Sequence, residues 1–294
     1  MNFITLFDGL WYVGLVAIIT IFSVAAKNSG LFIPIYKFIY KHVKSKRIVV
    51  ALVSTISGVL PIEGRTIISA GLLDSLAPID KRRKIYGIID YLSTHHYYFW
   101  SPLEKTILLP LAGLGISYIT FIGMIWPLLL TTIIFIIGYL FIVLKENDVI
   151  IEFHKINKKS LNELKWVDWK TLSFITGVII LANIFKMYSD EIKNIIVLMK
   201  GSLLLALSFI FISSFIFGSS SKYAGFVTLL TIIFGMNYFP LFFAVGYSGY
   251  MLSPTHKCLI TAQRYFHTNM YEFYKVVISM CIFIIVAGII LVII

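Results

Sequence analysis

Two segments decide the fold: YYFWSPLEKTILLP at 97–110 and SGYMLSPTHKCLITA at 248–262. Each carries the pattern Ser-Pro-x-x-Lys, as Ser101-Pro102-Leu103-Glu104-Lys105 and Ser253-Pro254-Thr255-His256-Lys257. Proline lacks a backbone donor and clashes with the preceding turn, so each copy breaks a helix and frees polar backbone groups. Both copies are embedded in apolar sequence. In lipid, freed backbone groups are tolerated only beside protein or a hydrated cavity. Breaks at corresponding points of two halves are the pattern of a transporter built from a repeat.

The rest of the chain is apolar enough to require that setting. Of 294 residues, 59% are hydrophobic and 13% charged, and the mean hydropathy is +0.91. A soluble chain of this length needs more polar surface, so the composition predicts a membrane protein. The net charge of +11 comes from 25 Lys and Arg against 14 Asp and Glu. The basic residues cluster between apolar runs, which fits membrane topology and argues against a nucleic-acid partner. Cys258 and Cys281 lie in apolar sequence, with no CxxC and no disulfide framework, and read as buried small residues. The first nine residues hold Asp8 and no Lys or Arg, the wrong flank for a cleaved signal peptide.

Working outward from the breaks, the first half reads as follows. Residues 10–26 form a span and 27–47 a basic interfacial arm. Residues 48–76 are apolar but interrupted at Leu60-Pro61-Ile62-Glu63-Gly64-Arg65. A polar stretch at 77–96, a broken helix at 97–116 and a span at 117–144 with Trp126-Pro127 complete it. Residues 145–170 are a charged linker. The second half repeats the order: span 171–186, arm 187–201, apolar 202–236 interrupted by Gly218-Ser219-Ser220-Ser221-Lys222, broken helix 238–263, loop 264–275 and final span 276–294.

Basic loops flank both ends of 48–76, and basic loops prefer the cytoplasm. That segment must therefore enter and return as a re-entrant hairpin, because neither limb reaches the about 20 residues of a full crossing. Counting crossings from an external N-terminus puts 27–47, 77–96, 145–170 and 257–275 in the cytoplasm and both termini outside. These stretches hold six, four, six and three Lys or Arg, respectively. The expected fold is all-α, with two inverted repeats at 1–145 and 171–294 joined by a cytoplasmic linker at 146–170.

The candidate ligands gather at the tips and breaks. On the first hairpin they are Ser57, Gly58, Pro61, Glu63, Gly64, Arg65 and Thr66. At the first break they are Ser101, Pro102, Glu104 and Lys105. On the second hairpin they are Gly218, Ser219, Ser220, Ser221 and Lys222, and at the second break Ser253, Pro254 and His256. Helix N-termini attract anions and unwound carbonyls suit Na⁺. Gly218 to Ser221 can be a substrate cradle or a polar loop outside the membrane. Glu63 and Arg65 are an ion pair closing the tip or ligands for substrate and protons. Lys105 faces the site or pairs with Glu104 or Glu63, and Lys257 faces it or snorkels. His256 is a proton relay or a structural, hydrogen-bonded histidine. His95-His96 read as interfacial, and Tyr97 to Trp100 as packing or interfacial anchors.

The stretch from Ser29-Gly30-Leu31 through LVSTISGVLPIEGRTIISAGLLDSL, and GYSGYMLSPTHKCLITAQRYF, resemble an uncharacterised permease family of the ion transporter superfamily. That superfamily includes gluconate, citrate and dicarboxylate carriers. The resemblance covers most of 28–145 and 200–290. It implies a scaffold and a transport domain, elevator motion, a homodimer, and substrate and coupling ions bound between the hairpins. The first tip departs from the glycine-rich pattern of such relatives, because Glu63 and Arg65 put a charge pair there. No catalytic triad, HExxH, Walker loop or dinucleotide fingerprint is present, so no enzyme is expected. The sequence thus predicts a multi-pass protein of the inner or plasma membrane. Its expected function is secondary transport of a small anionic solute coupled to Na⁺ or H⁺, with Na⁺ at the hairpin tips and no other cofactor. The alternative is a non-transporting membrane protein, an assembly subunit or degenerate relative, that keeps this fold.

Overall fold

The computed structural model describes residues 32–58, 83–145 and 202–294, with isolated positions between 14 and 21, at 69 and 73, and between 176 and 180. The first tip at 61–66, the linker, the second arm and most of the spans at 10–26 and 171–186 lie outside the described residues. The described residues are helical and contain no strand. In chain order the helices are α1 (Phe32–His42), α2 (Lys46–Gly58), α3 (Arg83–Ser93), α4 (Lys105–Leu114), α5 (Tyr118–Val143), α6 (Leu203–Phe217), α7 (Ser220–Phe234), α8 (Phe239–Leu252), α9 (Lys257–Phe266) and α10 (Met270–Ile293). The protein is therefore all-α over its described part.

α8 is the centre. Its sequence FPLFFAVGYSGYML is apolar on every side, as a fully enclosed helix requires. Every residue from Phe239 to Met251 is buried. Pro240 stands in its first turn, where a missing N–H costs nothing. α6, α7 and α10 pack directly on α8. The α6 crossing is tight because Gly249 has no side chain: a Cβ there would lie 2.5 Å from the Phe211 carbonyl oxygen. The neighbour is backbone and cannot rotate away. We predict that Gly249→Ala costs about 1–3 kcal/mol, read as a lower thermal midpoint in detergent; an unchanged midpoint would contradict this crossing.

α5 and α10 are long and apolar enough to cross a membrane, with mean hydropathies of 2.3 and 3.3 over their best windows. Large apolar side chains stand exposed along both, including Ile119, Ile134 and Ile142 on α5 and Ile282, Phe283 and Ile293 on α10. The short helix α6 adds Leu204, Leu205, Ile212 and Ile216 to that surface. Exposed apolar area of this extent is a contact surface, and lipid is the solvent that suits it.

Three boundaries differ from the sequence reading. The polar stretch at 77–96 is not a surface loop throughout, because 83–93 form α3. Tyr86, Ile88, Ile89, Tyr91 and Leu92 recur at helical spacing and are all buried. The helix leading into the first break therefore starts at Arg83, upstream of 97. The loop expected at 264–275 shrinks to three residues. α9 runs to Phe266, His267 ends it in the left-handed region at φ 49, and the Asn269 side chain caps α10 by accepting from the Tyr271 N–H. The arm expected at 27–47 contains α1, whose Lys37, Phe38 and Lys41 are exposed, and then gives way to α2 at Lys46.

Candidate functional site

Both Ser-Pro motifs are breaks between helices, and both close the same way. In the first, the Glu104 N–H donates to the Ser101 carbonyl at 2.9 Å. In the second, the His256 N–H donates to the Ser253 carbonyl at 3.2 Å. Proline at the second position of such a turn presets its backbone angle. The turn then restarts a helix: α4 at Lys105 and α9 at Lys257, each ten residues long. Ser101, Glu104, Ser253 and His256 are buried, whereas Pro102 and Pro254 are exposed. Lys105 is half-buried and Lys257 exposed.

The turn between α6 and α7 is seated on the second break. Gly218 ends α6 with φ 52, and Ser219 precedes α7. A Cβ on Gly218 would meet Thr255 Oγ1 at 2.4 Å, Ser253 Oγ at 2.6 Å and the His256 nitrogen at 2.9 Å. The Thr255 hydroxyl donates to the Ile216 carbonyl at 3.1 Å, and its own N–H donates to Ser253 Oγ at 3.2 Å. Gly218 and Ser253 are thus brought together. Ser219 and Ser221 share a hydroxyl contact of 3.2 Å. Lys222 extends its ammonium over the Phe217 ring at 4.0 Å, a cation–π contact that holds it along α6. α7 packs against both α8 and α4, so it touches the helices on either side of the two breaks.

On α2, Ser57 is buried and its hydroxyl donates to the Val53 carbonyl at 2.7 Å. Gly58, also buried, lies against Thr94 and the Tyr97 ring, beside the first break. Pro61, Glu63, Gly64, Arg65 and Thr66 are outside the described residues.

The two broken helices meet in a polar, aromatic cluster that the sequence reading did not assemble. His95 is fully buried and His96 nearly so, which overturns their interfacial reading. Tyr97, Tyr98 and Phe99 are buried and act as packing rather than interfacial anchors. His95 Nε2 lies 3.2 Å from His256 Nε2. Tyr91 bridges the halves: its hydroxyl donates to the Met251 carbonyl at 2.7 Å and lies 2.9 Å from His256 Nδ1. The Tyr98 and Tyr250 hydroxyls are 2.8 Å apart. Tyr250 also covers the His256 ring, with centroids 4.1 Å apart. Cys281 is buried as expected, but Cys258 is half-buried, with its sulfur within 4.8 Å of ring nitrogens of both histidines.

A second polar group was also missed. Asp90 in α3 is fully buried. Ser54 of α2 and Ser69 are its hydroxyl neighbours, yet neither carboxylate oxygen reaches hydrogen-bond distance of a partner among the described residues. A polar residue in the 77–96 stretch gave no hint of burial. For the histidine cluster there was a hint: aligning the Ser-Pro motifs puts Tyr98 on Tyr250. No protein-family model, curated protein or solved structure matches this chain.

Proposed function

We propose that this chain is a multi-pass membrane protein of inverted-repeat architecture that carries a small anionic solute across a cell membrane, coupled to Na⁺ or H⁺. The observation that carries the reading is the contact between Tyr98 and Tyr250, 152 positions apart. The same offset relates the Ser-Pro motifs, the starts of α4 and α9, the left-handed caps Gly115 and His267, and the starts of α5 and α10. Equivalent residues of two copies touch one another only on a two-fold axis. The neighbouring pairs are reciprocal. His95 and Tyr250 have ring centroids 6.3 Å apart, and their counterparts Tyr247 and Tyr98 are 6.4 Å apart. A two-fold axis in the membrane plane relates halves of opposite orientation, the arrangement that underlies alternating access.

An anion suits the polar groups at hand. The N-termini of α4, α7 and α9 open at the two breaks and the second tip, and helix N-termini attract negative charge. Lys105 and Lys222 add positive charge nearby. The ion transporter superfamily, which the sequence resembles, includes carriers of carboxylates, and dimeric assembly with external termini belongs to the same reading.

Proteoliposome uptake, screened over carboxylates under Na⁺ and pH gradients, tests this. Ser219→Leu at the half-buried turn, and Ser253→Ala at the buried break, should each abolish uptake in protein that still elutes as a folded particle. Unchanged uptake in both variants would move the site elsewhere. One observation favours the second reading, a non-transporting protein with this fold. The crossing of the broken helices is filled by Tyr98, Phe99, Phe243, Tyr247 and Tyr250, all buried. Folded wild-type protein that moves no carboxylate under either gradient would support that reading.

A further inference from the structure

The hydrogen bonds around His95 and His256 determine which ring nitrogens carry protons. His95 Nδ1 lies 2.5 Å from the Tyr91 carbonyl. A carbonyl can only accept, so Nδ1 holds a proton, and in the neutral ring Nε2 presents a lone pair. The Tyr91 hydroxyl gives its one proton to the Met251 carbonyl. Its oxygen therefore accepts from His256 Nδ1, and in the neutral ring His256 Nε2 also presents a lone pair. The two Nε2 atoms face each other at 3.2 Å in a buried site. A contact of that length is closed by a proton on one ring or by a cation that both rings bind. Cys258 supplies a third donor to the same point, its sulfur within 4.8 Å of both nitrogens.

We propose that His95 Nε2, His256 Nε2 and Cys258 Sγ ligate a single borderline-soft transition-metal ion of the Zn²⁺ class, which clips the first broken helix to the second. The distances suit such an ion. With Zn–N near 2.0–2.1 Å, two tetrahedral nitrogens stand about 3.3–3.4 Å apart. The nitrogen–sulfur separation in the same geometry is about 3.6 Å, within the observed bound. The outer contacts suit it too. A metal-bound histidine generally donates its other ring N–H to a carbonyl or similar acceptor, and here Tyr91 supplies both acceptors, its carbonyl and its hydroxyl. Two imidazoles and one thiolate favour Zn²⁺ over the hard cations Na⁺, Mg²⁺ and Ca²⁺. Three protein ligands leave a fourth position for water or another donor. Binding releases the thiol proton of Cys258 to solvent.

The test uses tag-free, full-length protein in detergent, stripped with a chelator, then given Zn²⁺ or Co²⁺ and desalted. The expected result is a single retained equivalent per chain. With Co²⁺, the protein should show the visible bands of a tetrahedral site and a thiolate-to-cobalt charge-transfer band. Cys258→Ser should lose the charge-transfer band while the metal-free thermal midpoint stays that of the wild type, because Cys258 is half-buried and serine is close in size. His256→Gln should lose retention altogether. A wild type that retains no metal, or a charge-transfer band that survives in Cys258→Ser, would overturn the proposal. The first outcome would leave a proton shared between the two imidazoles as what closes the contact. The readout is spectroscopic and needs no solute flux, so it is independent of the transport reading.

Discussion

Gly218→Val should unseat the turn between α6 and α7 and give the largest loss of stability of any single change at the breaks. Two costs add. The backbone of Gly218 is left-handed, with φ 52 and ψ 34, which an L side chain adopts at about 1–2 kcal/mol. The Cβ would also lie 2.4 Å from Thr255 Oγ1, 2.6 Å from Ser253 Oγ and 2.9 Å from the His256 nitrogen. The hydroxyls can turn away, but the His256 nitrogen is backbone within the turn that restarts α9. Forcing it aside is an overpacking cost of about 1–3 kcal/mol. Together these predict a loss of about 2–5 kcal/mol and of the Thr255 bond to Ile216. Gly235→Ala is the control. Its φ is 107, but nothing lies within 4 Å of the added Cβ, so only backbone strain applies. Thermal unfolding in detergent compares the two. Equal midpoints would mean that the tip is not docked on the second break.

Tyr91→Phe should be the second large effect, and it removes a single oxygen. That hydroxyl satisfies the Met251 carbonyl and accepts from His256 Nδ1, both in buried surroundings. Without it, each group loses its partner there, at about 1–3 kcal/mol per buried group. The ring itself stays and keeps its edge contact with Phe273, centroids 5.7 Å apart, so packing is little changed. A fall in the thermal midpoint should therefore accompany a specific change at the histidines. For the proposed metal site, loss of an outer hydrogen bond weakens affinity by about 10–100-fold. A variant with wild-type midpoint and wild-type Co²⁺ affinity would show that Tyr91 does not bridge the two broken helices.

The features that local chemistry controls are legible in the chain. Proline with freed backbone groups specified the breaks at 101–104 and 253–256. Glycine in the left-handed region specified the turn after α6. Unbroken apolar runs specified α5 and α10, and charge distribution argued for a membrane setting. Each of these is written in a few consecutive residues, because backbone sterics and transfer free energy act over one turn or one helix. That 86–93 is buried, that His95 and His256 meet, and that Cys258 joins them comes from tertiary packing alone. Their polar side chains look solvent-bound in sequence, and burial becomes affordable only when partners about 160 residues away satisfy them. No local pattern encodes that pairing. It follows from how the two broken helices cross, with Tyr98 against Tyr250 at the crossing and Gly249 letting α6 and α8 approach. The histidine that seemed interfacial and the cysteine that seemed inert become neighbours because helix packing, not sequence spacing, sets which side chains share a buried volume.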